Sequence, residues 1–170
     1  MSMFSGAKFE KLDDLFWSQI NDLYDAEQQL TEALPKMADT AQSPRLKEAF
    51  KTHLRETEGQ IRRLERIYEM MGEKPNGETC EAMKGLIKEG EEILKAKGDH
   101  RVRDAGLIAA AQRTEHYEMA GYGTARHLAQ RLGHTEAAEL LRQTLDEEKH
   151  ADKLLNEIAI GDVNEQAERA

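Results

Sequence analysis

The chain has 170 residues, a formal charge of −9, 34% charged residues, three prolines and four phenylalanines. That composition suits one helical domain with a substantial core, and it lacks the basic face that non-specific nucleic-acid binding requires. Cys80 is the only cysteine, so no intrachain disulfide can form. The opening MSMFSGAKFEKLDD shows no continuous apolar run of the export type, and roughly 18 uninterrupted apolar residues occur nowhere. The expectation is a cytoplasmic protein with no membrane and no nucleic-acid partner.

In chain order, the first expected helix covers about residues 8–38, with Phe16, Ile20, Leu23, Glu27, Leu30, Leu34 and Met37 on one stripe. Pro35 should bend its last turn or end it early. Ser43 and Pro44 supply a cap and a first-turn proline for a second helix over 43–71. Its stripe is Leu46, Ala49, His53, Glu56, Gln60, Leu64, Ile67 and Met71, and Gly72 with Pro75 ends it. The connection from Gly72 to Val102 is too long for a turn. Met83, Leu86, Ile87, Ile93 and Leu94 predict a short helix over 79–96 inside it.

The next helix, expected over 102–132, carries Ile108, Ala111, Glu115, Glu118, Tyr122, Ala125, Ala129 and Leu132. Gly121 and Gly123 weaken its interior by about 1 kcal/mol each. Close packing against the crossover or a second subunit, or a local distortion, would explain them. Gly133 separates it from a last helix over 135–160, with the stripe Ala137, Leu140, Thr144, Glu147, Ala151, Leu154 and Ile158. Residues 161–170 are polar and expected to be loose. Hairpin, long crossover and hairpin predict an all-α, ferritin-like four-helix bundle whose crossover carries a short fifth helix.

Every stripe is apolar at its ends and polar in its middle. Glu27, Glu56, Glu115, Glu118 and Glu147 occupy positions where the rhythm asks for apolar residues. A buried carboxylate without a partner costs several kcal/mol or stays protonated. Residues at equal height in a helical hairpin are equidistant from its loop. Glu27 and the His53–Glu56 pair reflect onto each other about a point near position 41, inside the first loop. Glu115 with Glu118 and Glu147 with His150 do so about Gly133. All four groups therefore converge at one height. Arg55, Arg62, Arg63 and Arg113 fall off the stripes, so no matching set of buried cations is available.

Carboxylate and imidazole ligands suit iron or manganese, and the expectation is two such divalent ions per chain. Glu147 and His150 form the Glu-x-x-His motif of di-metal bundles. Glu115-x-x-Glu118 replaces it on the preceding long helix, and Gly59 stands where His would follow Glu56, with His53 on the other side. Glu148 takes the place of Glu147 if the last helix is rotated, although stripe spacing favours Glu147. His100, His116, His127 and His134 are expected on solvated faces. For Tyr122, ordinary packing is preferred over a hydrogen bond to a ligand.

The segments LYDAEQQL, HLRETEGQI, RDAGLIAAAQRTEHYEMAGYGT, TLDEEKHAD and CEAMKGLIKEGEEI resemble the YciE/YciF family of bacterial ferritin-like proteins over nearly the whole chain. The resemblance implies a cytoplasmic, stress-associated homodimer with a di-metal centre. DEEKHAD is also similar to the last helix of bacterioferritin. Glu115-x-x-Glu118 resembles rubrerythrin, whose di-iron centre handles peroxide. The functional expectation is a di-metal protein reacting with oxygen or peroxide. The alternative is a structural or metal-sequestering protein without turnover. A storage cage ranks lower, since no second acidic cluster is present.

Overall fold

The computed structural model describes residues 8–170, and the first seven residues of the opening segment lie outside the described region. Helix α1 spans Leu12–Thr40 and α2 Pro44–Met71. A short helix α3 spans Glu81–Leu94, followed by α4 (His100–Leu132) and α5 (Thr135–Ile158). No strand occurs among the described residues. The pairs α1/α2 and α4/α5 are the hairpins; α1 also packs on α4 and α2 on α5, while α3 lies across α4 and α1. This is the ferritin-like four-helix bundle with one long, helix-bearing crossover.

Local chemistry explains the ends. The Asp14 carboxylate accepts the amides of Glu10 at 2.8 Å and Lys11 at 3.0 Å, so α1 starts at Leu12 rather than near residue 8. It then runs past Pro35 to Thr40 without ending early. Ser43 Oγ accepts the Leu46 amide and Pro44 opens α2. Buried Asp104 of α4 accepts the amides of Gln42 and Ser43, which ties the first hairpin loop to the second hairpin. Gly72 and Gly133 end α2 and α4 in the left-handed region, at φ 69° and 80°.

The tail differs from the loose segment expected of residues 161–170. A π-helical turn over Ala159–Val163 leads into a short helix α6 (Asn164–Glu168), because Val163 is buried against the core and holds the chain down. Gly121 and Gly123 also separate. A Cβ on Gly121 would lie 2.8 Å from Leu23 Cδ2, so this glycine lets α1 approach α4 closely. Gly123 faces open space.

Two apolar clusters occupy the ends of the bundle. One is built on Leu30, Leu34, Leu46, Phe50, Leu107 and Ile158, and the other on Phe16, Ile20, Leu64, Ile67, Leu141 and Ala125. Each large buried side chain there stabilises the fold by about 1.5–3 kcal/mol. Between the clusters lies a buried polar layer: Glu27, His53, Thr57, Gln60, Thr114, Glu115, Glu118, Thr144 and Glu148. The ends supply the stability that this layer consumes.

Candidate metal centre

Four helices contribute to the polar layer. Helix α2 brings His53, α4 brings Glu115 and Glu118 one turn apart, and α5 brings Glu148. One ligand atom from each of these four residues lies within 4.8 Å of the other three. Helix α1 adds Glu27, fully buried, whose carboxylate accepts a hydrogen bond from the Tyr122 hydroxyl. His53 Nδ1 lies 3.4 Å from Glu56 Oε2, and its Nε2 lies 3.4 Å from Glu115 Oε1 and 3.7 Å from Glu148 Oε2. Glu56 is itself partly exposed, at the edge of the layer.

Burial dominates the electrostatics. It pushes the carboxyls of Glu27, Glu115 and Glu118 well above the usual carboxylate range, and the charge of Glu148 pushes each of them further. Burial also opposes charging of His53, but Glu115 and Glu148, aided by Glu56 and Glu27, outweigh it and raise the imidazole to about 10. Burial followed by the Glu27 charge drives the Tyr122 hydroxyl well above its normal value. A single imidazolium faces several carboxylates, so the layer is short of positive charge.

The hydrogen-bond inventory agrees. Buried Glu27 Oε2, Glu115 Oε2, Glu118 Oε1 and Oε2, Glu148 Oε2 and His53 Nε2 all lack a hydrogen-bond partner. Buried polar atoms are ordinarily satisfied, and a cluster of orphaned carboxylate oxygens is what a cation would coordinate. Oxygen and imidazole donors of this kind fit iron or manganese.

The sequence-predicted residues divide into two groups. His53, Glu115 and Glu118 meet in the centre, Glu27 borders it, and Glu56 touches it through His53. Glu147 and His150 do not join it. Helix α5 is rotated by one position from the expected stripe, so Glu148, Leu141 and Leu155 face inward in place of Glu147, Leu140 and Leu154. The inward stripe Leu141, Leu145, Glu148, Ala151 and Leu155 also follows 3-4 spacing and carries more large apolar side chains. That was the signal available in the sequence.

Helix α2 rotates similarly, with Phe50 and Thr57 buried in place of Ala49 and Glu56. Arg63 holds Glu147 outside the centre: its Nη1 donates to Oε2 at 2.7 Å and its Nη2 to Oε1 at 2.5 Å. His150 is exposed. Two further residues support the centre. Gln60 donates to both Glu148 and Glu147, and the Tyr122 hydroxyl, expected merely to pack, orients Glu27.

Comparison with known proteins places the chain plainly. Residues 11–168 match the family described as Domain of unknown function (DUF892). The chain is 46% identical to Protein YciF of Escherichia coli strain K12 over 158 residues, covering 92% of this chain and 95% of that protein. The crystal structure of the E. coli stress protein YciF superposes with a TM-score of 0.89 at 45% identity, covering 92% of this chain and 99% of that one. YcfI from Rhodopseudomonas palustris gives a TM-score of 0.84 at 41% identity, over 91% and 98% of the two chains. With its bundle, its crossover helix and nearly its full length matched, the chain belongs to the YciE/YciF family.

Proposed function

We propose that this protein holds two divalent metal ions, iron or manganese, and reacts with oxygen or peroxide during stress. The observation that carries the reading is the set of orphaned buried oxygens on Glu27, Glu115, Glu118 and Glu148, contributed by three helices and faced by His53 of a fourth. Glu27, Glu115, Glu118 and Glu148 are the buried ligands, and His53 with Glu56 completes the set from α2. When bound, such metals supply Lewis acidity and one-electron redox chemistry.

The chain's own residues prepare that chemistry. Tyr122 occupies one oxygen of Glu27 and leaves the other buried without a hydrogen-bond partner. Gln60 does the same for Glu148. The apolar clusters above and below keep most of the layer away from bulk water. Arg63 neutralises Glu147 at the edge, so its charge does not add to the carboxylates of the centre. The same reading makes the protein a cytoplasmic homodimer, which a native mass twice that of the chain would support.

Metal analysis after loading with ferrous or manganous ion tests the proposal. The expected content is about two ions per chain, and Glu118→Leu should lower it. Fewer than one ion per chain would rule the two-metal reading out.

A further inference from the structure

The seam between α2 and α5 differs on the two sides of the metal centre. On the side toward the second hairpin loop it is locked. Arg63 donates to Thr144 Oγ1 at 3.1 Å and clamps Glu147, while Gln60 bridges Glu147 and Glu148. On the α1 side, fully buried Tyr122 covers Glu27.

Toward the other end, the α2–α5 seam opens into a cleft of about 50 Å³. Ala49, Phe50, Ala151, Leu154 and Leu155 form its apolar walls, and Thr52, His53, Glu56, Glu115 and His150 its polar ones. The polar groups on it descend in order of exposure. His150 is open to solvent, the Glu56 side chain is 29% exposed, and the His53 and Glu115 side chains are 7% and 2% exposed. The two innermost residues belong to the buried quartet. The cleft therefore connects solvent to the centre.

Its volume sets what can use it. On this measure roughly 10–15 Å³ holds one water, so the cleft takes a few molecules of that size and has little room for a branched organic substrate. The walls favour an apolar or uncharged species, and the carboxylates of Glu56 and Glu115 disfavour an anion. A far larger hollow of about 710 Å³, between α3 and α4, is lined by Ile93, Val102 and Gly106 but by none of the quartet. Volume alone does not mark the entrance; contact with His53 and Glu115 does.

We propose that this cleft is the entrance for an uncharged oxidant of two heavy atoms, dioxygen or hydrogen peroxide, and that its small volume disfavours bulky organic hydroperoxides. The proposal rests on the two-metal reading for its chemistry, but the cleft can be examined without metal. Ala49 and Leu154 line it and are not among the proposed ligands. Ala49→Leu fills it, and Leu154→Ala widens it.

The first measurement uses xenon, which binds against apolar walls in protein cavities, on metal-stripped full-length protein with methyl groups observed by NMR. Xenon should shift the methyls of Ala49, Ala151, Leu154 and Leu155, and Ala49→Leu should abolish those shifts; unshifted methyls in the wild type overturn the cleft. The second compares variants at equal iron content. Ala49→Leu should slow oxidation of the bound ferrous iron by dioxygen and by hydrogen peroxide by about tenfold. Leu154→Ala should admit tert-butyl hydroperoxide, which the wild type disfavours.

Wild-type rates in Ala49→Leu, or equal use of the bulky hydroperoxide by the wild type, overturn the entrance. Should Ala49→Leu lose its helical signal, Ala49→Val replaces it with the same expected order of rates. Metal content below one ion per chain would instead defeat the two-metal reading, leaving the xenon experiment to decide on the cleft.

Discussion

The apolar ends of the bundle and the polar layer between them obey opposite rules. At the ends, Phe16, Ile20, Leu46, Phe50, Leu64 and Ile67 are fully or almost fully buried and have no polar atom to satisfy. In the layer, equally buried Glu118 has two carboxylate oxygens without a partner. Burial carries no polar cost in the first region and is left uncompensated in the second. A fold tolerates such a layer only when other regions stabilise it, and the proposed metal binding would account for the middle of this bundle.

The strongest break of that contrast is a cavity at one end. Phe16 is fully buried, and its ring meets Trp17 edge-on with centroids 5.3 Å apart. Phe16→Ala should cost about 3–5 kcal/mol in urea denaturation of the metal-stripped protein. Metal stoichiometry should stay at the wild-type value wherever the variant is folded. A loss of metal binding in the folded variant would show that the ends and the layer are not separable.

Glu118→Leu is the opposite experiment. Removing a buried, unpaired carboxylate and substituting an apolar side chain of similar size should stabilise the stripped protein by roughly 1–4 kcal/mol, while lowering its metal content. Destabilisation would mean that Glu118 has a structural role in the metal-free chain, and the contrast between the two regions would fail at its clearest point.

Acidity sharpens the comparison. Glu27, Glu115 and Glu118, with ordinary values of 4.5, are raised well above them, so the folded chain keeps protons that the unfolded chain has released. His53 acts in the same direction, with an ordinary value of 6.5 raised to about 10. Wherever the folded state binds more protons, stability falls as pH rises. The stripped protein should therefore lose stability from about pH 4.5 upward. The His53 contribution is fully present below pH 6.5 and is lost by about pH 10. Bound metal displaces those protons and should flatten the curve, which melting temperatures across the range will read. A stripped protein whose stability is level from pH 5 to 8 would contradict the crowded layer.

The sequence made the fold legible because its decisive features are long-range in pattern but local in chemistry. Gly72, Gly133 and the Ser43–Pro44 pair mark helix ends wherever the chain is folded, and hairpin symmetry about the loops brings Glu27, His53 and Glu115 to one height. What a single stripe could not fix was helix rotation. In α5, Ala137, Thr144, Ala151 and Ile158 recur every seven residues and are common to both candidate faces, so they cannot decide between Glu147 and Glu148. The deciding partner is Arg63, on another helix and off its own stripe, which captures Glu147. The hydrogen bond of Tyr122 to Glu27 is likewise tertiary, spanning 95 positions. The tail helix was hidden because only Val163 anchors an otherwise polar segment.

The smallest expected effects come from two glycines a single turn beyond the polar layer, where the two regions meet. A methyl on Gly121 would lie 2.8 Å from Leu23 Cδ2 and 3.5 Å from its Cγ, so α1 or the leucine must shift. Gly121→Ala should cost about 1–3 kcal/mol by overpacking. Gly123 has no heavy atom within 4 Å of such a methyl and sits inside the same helix. Gly123→Ala should therefore stabilise the protein by about 0.5–1 kcal/mol, through the lower backbone entropy of the unfolded chain. Opposite signs in thermal denaturation would confine the close approach of α1 to Gly121, against the fully buried Leu23. Equal signs would mean that α4 tolerates or resists both methyls alike, and that the packing of α1 on α4 does not depend on that contact.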